Sequence, residues 1–202
     1  MNTPDQKATL HRYLKAGRDA LLWKLDGLSE YDVRRPMTPT GTNLLGLVKH
    51  VVGVTDGYLG SVMGRPSGIE LPGFPEDEAD EVPNADLWVP ADESRDLIID
   101  LHHQVAAHSD ATVEALELDA LGHVPWWGDR GDVTLQQVLV HVIAETHRHA
   151  GHADIIRELI DGAVGVREGM DNMWAGEGED YWERHRQQIE DAAQEAQAAS
   201  EG

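Results

Sequence analysis

Histidine and glutamate side chains recur at spacings of three and four residues along positions 141–152. Each residue of an α-helix turns the chain by about 100°, so positions four apart lie on one face. His141, Glu145, His149 and His152 therefore share one stripe of a helix. Imidazole and carboxylate groups are costly to bury alone and are common ligands of divalent metals. If this stripe faces the protein interior, the spacing predicts a metal-binding site.

A metal site in a helix bundle takes ligands from facing helices, so a further ligand is expected from a second helix. His50 is the best candidate, because it lies in an apolar segment and shares a helical side with Leu47 and Val54. A lone histidine in such a segment is more often a packed core residue than a ligand. The Glu145 and His149 pair elsewhere in the chain favours the interpretation of His50 as a ligand.

Two neutral imidazoles and one carboxylate leave a divalent ion with an open coordination position, which a catalytic site needs. This donor set suits zinc and also accepts nickel, iron or manganese. An ion held in this way lowers the pKa of a bound water or thiol and so produces a nucleophile near neutral pH. Spacing alone leaves the register open, because His141 and Glu145 are as far apart in sequence as Glu145 and His149.

Long helical patterns must position these side chains. Thr42 or Asn43, Thr134 and Gly162 carry the sequence signals of helix ends. No strand-like alternation is visible. The proline-rich connection over residues 65–90 is long enough to cross over between parallel helices. The sequence therefore predicts an all-α fold, a four-helix bundle with a long crossover connection. Its helices are expected at about residues 4–28, 42–64, 91–116 and 134–160.

The chain length favours a single domain over residues 1–202, with the bundle at about residues 4–162. A glycine-rich extension follows the bundle from residue 163. It leads into an additional C-terminal helix, expected to begin near residue 180 and to end near residue 198.

The charge and composition exclude several classes of partner and chemistry. A formal net charge of −21 disfavours nucleic acid and anionic membranes, and the acidic run at 76–81 is expected to be a solvated loop. The chain has no cysteine, so any thiol chemistry needs a thiol supplied by another molecule. No signal segment and no membrane-spanning run are visible, which predicts a soluble cytoplasmic protein.

The segment from Leu139 to Gly162 resembles the last bundle helix of the DinB-like superfamily. It is most similar to an actinobacterial branch of unknown function and to the N-terminal domain of mycothiol-dependent maleylpyruvate isomerase. Further similar elements surround His50 in Leu47-Val-Lys-His50-Val, Trp126-Trp127-Gly before the last bundle helix, and Tyr181-Trp182 near the end. The resemblance covers most of the chain and implies a four-helix bundle.

The resemblance also implies a metal held by one histidine of the second helix and two ligands of the last helix. Carried over, the ligands are His50, Glu145 and His149, which matches the His/Glu/His set of the isomerase and departs from the commoner all-His set. The His149-Ala-Gly-His152 stretch resembles a family element whose first residue is the ligand, which favours His149 over His141. His152 and His141 are then expected beside the ligands, with His152 alternatively a polar residue at the bundle mouth.

The function implied by the resemblance is a metal-dependent thiol transferase or isomerase. A low-molecular-weight thiol, mycothiol by resemblance, would attack a small electrophile in a pocket between the helices. A homodimer is expected on the same basis. The alternatives are a non-enzymatic, stress-linked bundle that binds a metal or a small ligand, and a purely structural bundle in which the histidines are incidental.

Polar and aromatic residues outside the ligand set are expected to have structural roles or to line the pocket. Asp154 and Arg157, three apart, are expected to pair on the helix surface. His147 points away from the stripe and is expected to be solvated. Tyr58 is expected in the core. Trp126 and Trp127 are expected either to line the pocket as an aromatic wall or, with more weight, to close the bundle end as a plug.

Overall fold

The computed structural model of the chain describes residues 5–74, 82–171, 173, 178 and 180–200. The acidic run at 76–81 lies outside the described residues. The chain divides into two compact units, Met1–Asp171 and Asn172–Gly202. The prediction of one domain over the whole chain stays a prediction.

Within the described residues, the first unit contains five α-helices and a two-stranded sheet, and the second contains one α-helix. The helices of the first unit are α1 (Gln6–Trp23), α2 (Glu30–Arg34), α3 (Leu44–Leu59), α4 (Arg95–Ala115) and α5 (Leu135–Asp161). Strands β1 (Leu121–His123) and β2 (Asp132–Thr134) pair antiparallel, and α6 (Tyr181–Ser200) forms the second unit. Among the described helices, no stretch combines the length and the hydropathy that a membrane span requires.

Side-chain caps fix where the four long helices of the first unit begin. Each N-cap side chain accepts a hydrogen bond from a backbone N–H in the first turn, which satisfies a donor that has no partner inside the helix. The caps are Asp5, Asn43, Ser94 and Thr134. At its other end α5 stops at Gly162, whose left-handed φ of 80° carries little steric penalty without a Cβ. The predicted caps Asn43 and Thr134 and the predicted stop Gly162 are therefore confirmed.

Helices α3 and α4 run parallel to each other. The Lys49 ammonium near the start of α3 pairs with Glu93 just before α4, at 3.1 Å. Beyond the end of α3, the carbonyl of Arg65 accepts a hydrogen bond from His108 near the end of α4, at 2.7 Å. Parallel neighbours need a connection as long as a helix, and residues 60–94 supply it. The predicted crossover bundle is confirmed.

Helix α5 is antiparallel to α3 and parallel to α1. Tyr58 at the end of α3 contacts His141 near the start of α5, whereas His50 near the start of α3 contacts His149 further along. Lys24, just after α1, forms an ion pair with Asp154 in the last third of α5. Residues four apart on α5 thus face α3 at successive levels of the bundle.

The apolar core consists of two clusters, one towards each end of the bundle. One contains Leu21 of α1 and Val52 of α3, and the other contains Leu14 and Tyr58 of the same helices. Between them lie buried polar side chains, one from each bundle helix. They are Arg18, Thr55, Ser109 and Thr146.

The all-α class is confirmed, but the described residues also contain one short hairpin that no alternation in the sequence indicated. Strands β1 and β2, each three residues long, pair as a hairpin, and the 3₁₀ segment Pro125–Arg130 lies in the loop between them. Val124 and Val133 of this hairpin are buried against the bundle. Three residues are too few for an alternating pattern to stand out in the sequence, so the pairing depends on tertiary contacts.

Candidate metal centre

The stripe of metal-capable side chains on α5 faces the interior. Its neighbours Val142, Thr146, Ala150 and Ala153 are buried along the same side of the helix. His149 is 7% exposed, and Glu145 one turn earlier is partly buried at 24% side-chain exposure. The carboxylate and the imidazole therefore sit at the edge of the core, where a group needs a partner or a ligand.

Helix α3 brings His50 to the same place. The apolar neighbours Leu47 and Val51 anchor this part of α3 in the core. The His50 side chain retains 20% exposure, so it lies at the rim of the α3–α5 contact. Its ring is 4.7 Å from the ring of His149, centroid to centroid, with an interplanar angle of 72°.

The three side chains present their donor atoms to one another. Nε2 of His149 lies 2.8 Å from Oε1 of Glu145, and Nε2 of His50 lies 3.7 Å from the same oxygen. One ligand atom from each of the three residues falls within 4.8 Å of the other two. Donors that converge in this way, two nitrogens and one oxygen, fit a divalent cation of the zinc type and leave it coordination positions free.

The protonation states also fit a cation site. Burial lowers the pKa of His149 and outweighs the hydrogen bond to Glu145, which acts in the opposite direction. Burial alone raises the pKa of Glu145, but the hydrogen bond with His149 and the nearby charges of His149, Arg148 and His50 lower it overall. A neutral imidazole beside an ionised carboxylate is the state that metal binding requires.

Asp86 is a further residue of the site, and no sequence pattern predicted it. Its Oδ2 accepts a hydrogen bond from Nδ1 of His50 at 2.6 Å, on the far side of the ring from Glu145. Asp86 lies in the 3₁₀ turn Ala85–Leu87, within the connection between α3 and α4. No spacing in the sequence links residue 86 to residue 50, and the length of the connection was the one indication that it has a role.

The two further histidines of the stripe are placed differently. His152 contacts His149 ring to ring at 5.4 Å, beside the three converging donors. His141 lies one turn before Glu145 and does not belong to that donor group. Its ring instead packs against Tyr58 at 4.6 Å and Trp127 at 5.0 Å.

An aromatic cluster adjoins the site along α5. The indole N–H of Trp126 donates to the hydroxyl of Tyr58 at 3.1 Å, and the Tyr58 and Trp127 rings are 5.8 Å apart. Tyr58 is buried, as expected, while Trp126 is 61% exposed. The cluster thus joins the 3₁₀ turn before β2 to the end of α3, next to His141.

The predicted surface pair of Asp154 and Arg157 is wrong. Arg157 is buried and donates to both carboxylate oxygens of Asp161, four residues on, and to the backbone carbonyls of Lys24 and Asp26. Asp154 pairs with Lys24 instead. The end of α1 supplies partners that the spacing within α5 could not reveal. His147 is exposed, as expected, and its Nε2 donates to the carbonyl of Tyr13 at 3.1 Å.

A family model described as Mycothiol-S-transferase matches residues 9–162. The chain belongs to the mycothiol S-transferase family. This family is DinB-like, so the resemblance inferred from the sequence is confirmed. The match spans α1 to α5 and includes all three converging donors. No curated protein matches the chain.

Two solved structures share the fold. A conserved protein from Enterococcus faecalis superposes with a TM-score of 0.64 and 17% identity, covering 80% of this chain and 100% of its own. YfiT from Bacillus subtilis, described as a probable metal-dependent hydrolase with an unusual four-helix bundle topology, gives a TM-score of 0.57 and 15% identity. That superposition covers 81% of this chain and 92% of YfiT. At these low identities the likeness shows only the fold of this chain, which is an all-α four-helix bundle.

Proposed function

We propose that this protein is a metal-dependent S-transferase that joins a small thiol to a small electrophile. The metal is a divalent ion, with zinc as the first choice, held by His50, Glu145 and His149. The thiol is mycothiol, as the family description suggests. The convergence of three ligand atoms within 4.8 Å, inside the segment that the family model matches, is the observation that carries this proposal.

The donor set supports a catalytic rather than a closed site. Three protein ligands leave at least one position on a divalent ion for a substrate atom. When bound, such an ion lowers the pKa of a coordinated thiol. The charge of Glu145 and the neutral imidazoles of His50 and His149 hold the ion with a reduced net charge.

The reaction needs sulfur from outside, because the chain has no cysteine. In the proposed transfer, the thiol loses its S–H proton to solvent and the sulfur supplies the electron pair of a new carbon–sulfur bond. The bond from the electrophilic carbon to its leaving group breaks, and the leaving group departs with the electron pair of that broken bond. Tyr58 and Trp127 pack against His141, one turn before Glu145, and Trp126 donates to the Tyr58 hydroxyl; these three aromatic side chains are proposed to contact the electrophile.

The test begins with metal content. Protein produced without a histidine tag is expected to bind about one Zn²⁺ per chain, measured by elemental analysis after dialysis, because the three donors form a single site. Zinc-loaded protein is then mixed with mycothiol and a panel of electrophiles, including an alkyl halide and an epoxide. Consumption of thiol and electrophile in equal amounts is the expected result.

One control arm and two binding outcomes separate the alternatives. The same panel without thiol tests the hydrolysis suggested by the description of YfiT. Loss of the electrophile both with and without thiol, with no thiol consumed, would assign the site to a hydrolase. Stoichiometric metal with no turnover in any arm would favour the non-enzymatic metal-binding bundle, and failure to bind zinc, nickel, iron or manganese would favour the structural bundle. Sedimentation of the zinc-loaded protein tests the expected homodimer, and fractionation of the source cells tests the cytoplasmic location.

A further inference from the structure

The imidazole of His50 uses both of its ring nitrogens. Nε2 faces Glu145, and Nδ1 donates to Asp86 at 2.6 Å. We propose that Asp86 is a positioning residue for the metal centre, which fixes the tautomer and the ring orientation of His50. This inference rests on the proposed function, because it assumes that His50 is a ligand.

The chemistry of imidazole gives Asp86 this role. A neutral imidazole carries its proton on one nitrogen, and only the other nitrogen has a lone pair for a metal. A carboxylate at Nδ1 keeps the proton there and leaves the lone pair of Nε2 directed towards Glu145 and His149. The carboxylate also makes the imidazole a more basic ligand.

The chain holds Asp86 in place through the backbone of its own turn. The side-chain amide of Asn43 donates to the carbonyl of Leu87 at 3.2 Å, and the ammonium of Lys49 donates to the carbonyl of Trp88 at 3.2 Å. Gly46 lies between these two residues on the same side of α3, and a Cβ there would overlap the Leu87 carbonyl oxygen. The turn therefore packs along the start of α3 at Asn43, Gly46 and Lys49, which are spaced three residues apart before His50.

The second histidine ligand lacks a comparable support. Nδ1 of His149 is buried and has no hydrogen-bond partner among the described residues. The two imidazoles are therefore held unequally, because Nδ1 of His50 donates to a carboxylate while Nδ1 of His149 has no partner among the described residues. We expect the metal affinity to be sensitive to Asp86 for this reason.

Binding of Zn²⁺ to the metal-free full chain tests the inference by competition with a chelator. Asp86→Ala is expected to weaken Zn²⁺ binding by about 10- to 100-fold, the usual effect of losing such a partner. Asp86→Asn keeps an oxygen that accepts from Nδ1 and loses the charge, so its effect should be smaller. Asp92→Ala removes the same charge from an exposed position in the same connection and is expected to change affinity by less than about twofold.

Nitrogen-15 NMR of the metal-free protein gives a readout independent of zinc. The wild type is expected to carry the His50 proton on Nδ1, and Asp86→Ala to give a mixture of tautomers. An unchanged tautomer in Asp86→Ala overturns the inference, as does a Zn²⁺ affinity within about twofold of the wild type. If the wild type binds no zinc while the tautomer shifts, the proposed function fails and the contact between Asp86 and His50 stands.

Two further results would also overturn the inference. If Asp86→Ala lowered both the zinc affinity and the urea midpoint of unfolding, with no tautomer change, Asp86 would be assigned to the stability of the connection. X-ray absorption of the Co²⁺-loaded protein would reveal Asp86 as a direct ligand if Asp86→Ala removed one nitrogen or oxygen neighbour from the metal. The expected number of such protein neighbours is the same for the wild type and for Asp86→Ala.

Discussion

Among the described residues, charged and histidine side chains are buried in several places, and two of these, between α3 and α5 and between α1 and α4, are built differently. Between α1 and α4, the guanidinium of Arg18 pairs with Asp110 and donates to Ser109 at 2.7 Å. The same Asp110 carboxylate also accepts hydrogen bonds from His11 at 2.8 Å and from Lys15 at 2.9 Å. Between α3 and α5, by contrast, both imidazoles share one carboxylate oxygen, and Nδ1 of His149 has no partner among the described residues.

The α1–α4 cluster has the properties of a structural ion-pair network, whereas the α3–α5 cluster has those of a binding site. Between α1 and α4, the single carboxylate of Asp110 accepts from Arg18, Lys15 and His11, so its oxygens are already occupied. Burial alone raises the pKa of Asp110, but the hydrogen bonds from Arg18, His11 and Lys15 outweigh it and lower that pKa to about 2. Such a network has little capacity left for a ligand. The α3–α5 donors point at one another and can be satisfied together by a cation, so the two regions should respond differently to substitution.

The largest contrast is expected from His149→Ala. The variant removes one of three ligands and should abolish stoichiometric Zn²⁺ binding, measured by elemental analysis. His147→Ala is the matched control, because His147 lies on the same helix, is exposed, and donates to the carbonyl of Tyr13 on α1. Equal zinc in the wild type and His149→Ala would show that the α3–α5 region is no metal site and would remove the contrast.

The next largest effect is expected from Asp110→Ala. It leaves the guanidinium of Arg18, which is 3% exposed, without its counter-charge. Breaking one side of a buried pair costs about 3–5 kcal/mol, so the free energy of unfolding in urea should fall by about that amount. Zinc binding by the folded protein should not change. A variant that lost zinc affinity and kept its stability would reverse the assignment of the two regions.

A third prediction concerns His102 of α4, a buried histidine with no hydrogen-bond partner among the described residues on either ring nitrogen. Burial, followed by the charges of Arg18 and His103, lowers its pKa from 6.5 to about 4. Below pH 6.5 the unfolded chain binds a proton at His102 that the folded chain binds only near pH 4. Stability should therefore fall as the pH drops from 6.5 to 4, by about 3 kcal/mol in total from this group.

Urea unfolding of the metal-free protein at pH 7, 5.5 and 4.5 measures this dependence. The loss of stability on acidification should be smaller in His102→Leu than in the wild type. His123→Leu serves as the control, because His123 is an exposed histidine paired with an exposed Asp132. Identical pH profiles for the wild type and His102→Leu would contradict the prediction. The Asp110 contribution is separable, since it is lost only as the pH falls from 3.8 towards 2.

The smallest effect is expected from Lys15→Ala. Lys15 pairs with the same carboxylate as Arg18, but its side chain is 54% exposed. Exposed pairs contribute little, so the free energy of unfolding should change by less than about 0.5 kcal/mol. If Lys15→Ala lowered the free energy of unfolding as much as Asp110→Ala, the stability of the network would depend on how many charges it contains rather than on their burial.

Much of the fold and of the candidate site could be predicted from local patterns. The spacing of Glu145 and His149 requires only a helix to bring them together, and the caps Asn43 and Thr134 act within their own first turns. The choice of His149 over His141 came from the family resemblance. In the structure His149 lies in the converging group, and His141 packs against Tyr58.

Contacts between distant segments were not predictable in the same way. Arg157 was expected to pair with Asp154, but the carbonyls after α1 and the carboxylate of Asp161 offered it better partners. The hairpin of β1 and β2 escaped notice because its strands are three residues long. Each of these features depends on which segments meet in space, and sequence periodicity carries no information on that.

The sequence by itself determined the helices, their inward faces and the types of side chain that could bind a cation, because these follow from interactions within a few residues. Only the tertiary structure decided that His50 meets Glu145 and His149. That meeting depends on the antiparallel register of α3 and α5, which packing of the whole bundle sets. The tertiary structure also placed Asp86 behind His50, because the connection between α3 and α4 docks through backbone carbonyls whose partners lie about forty residues away.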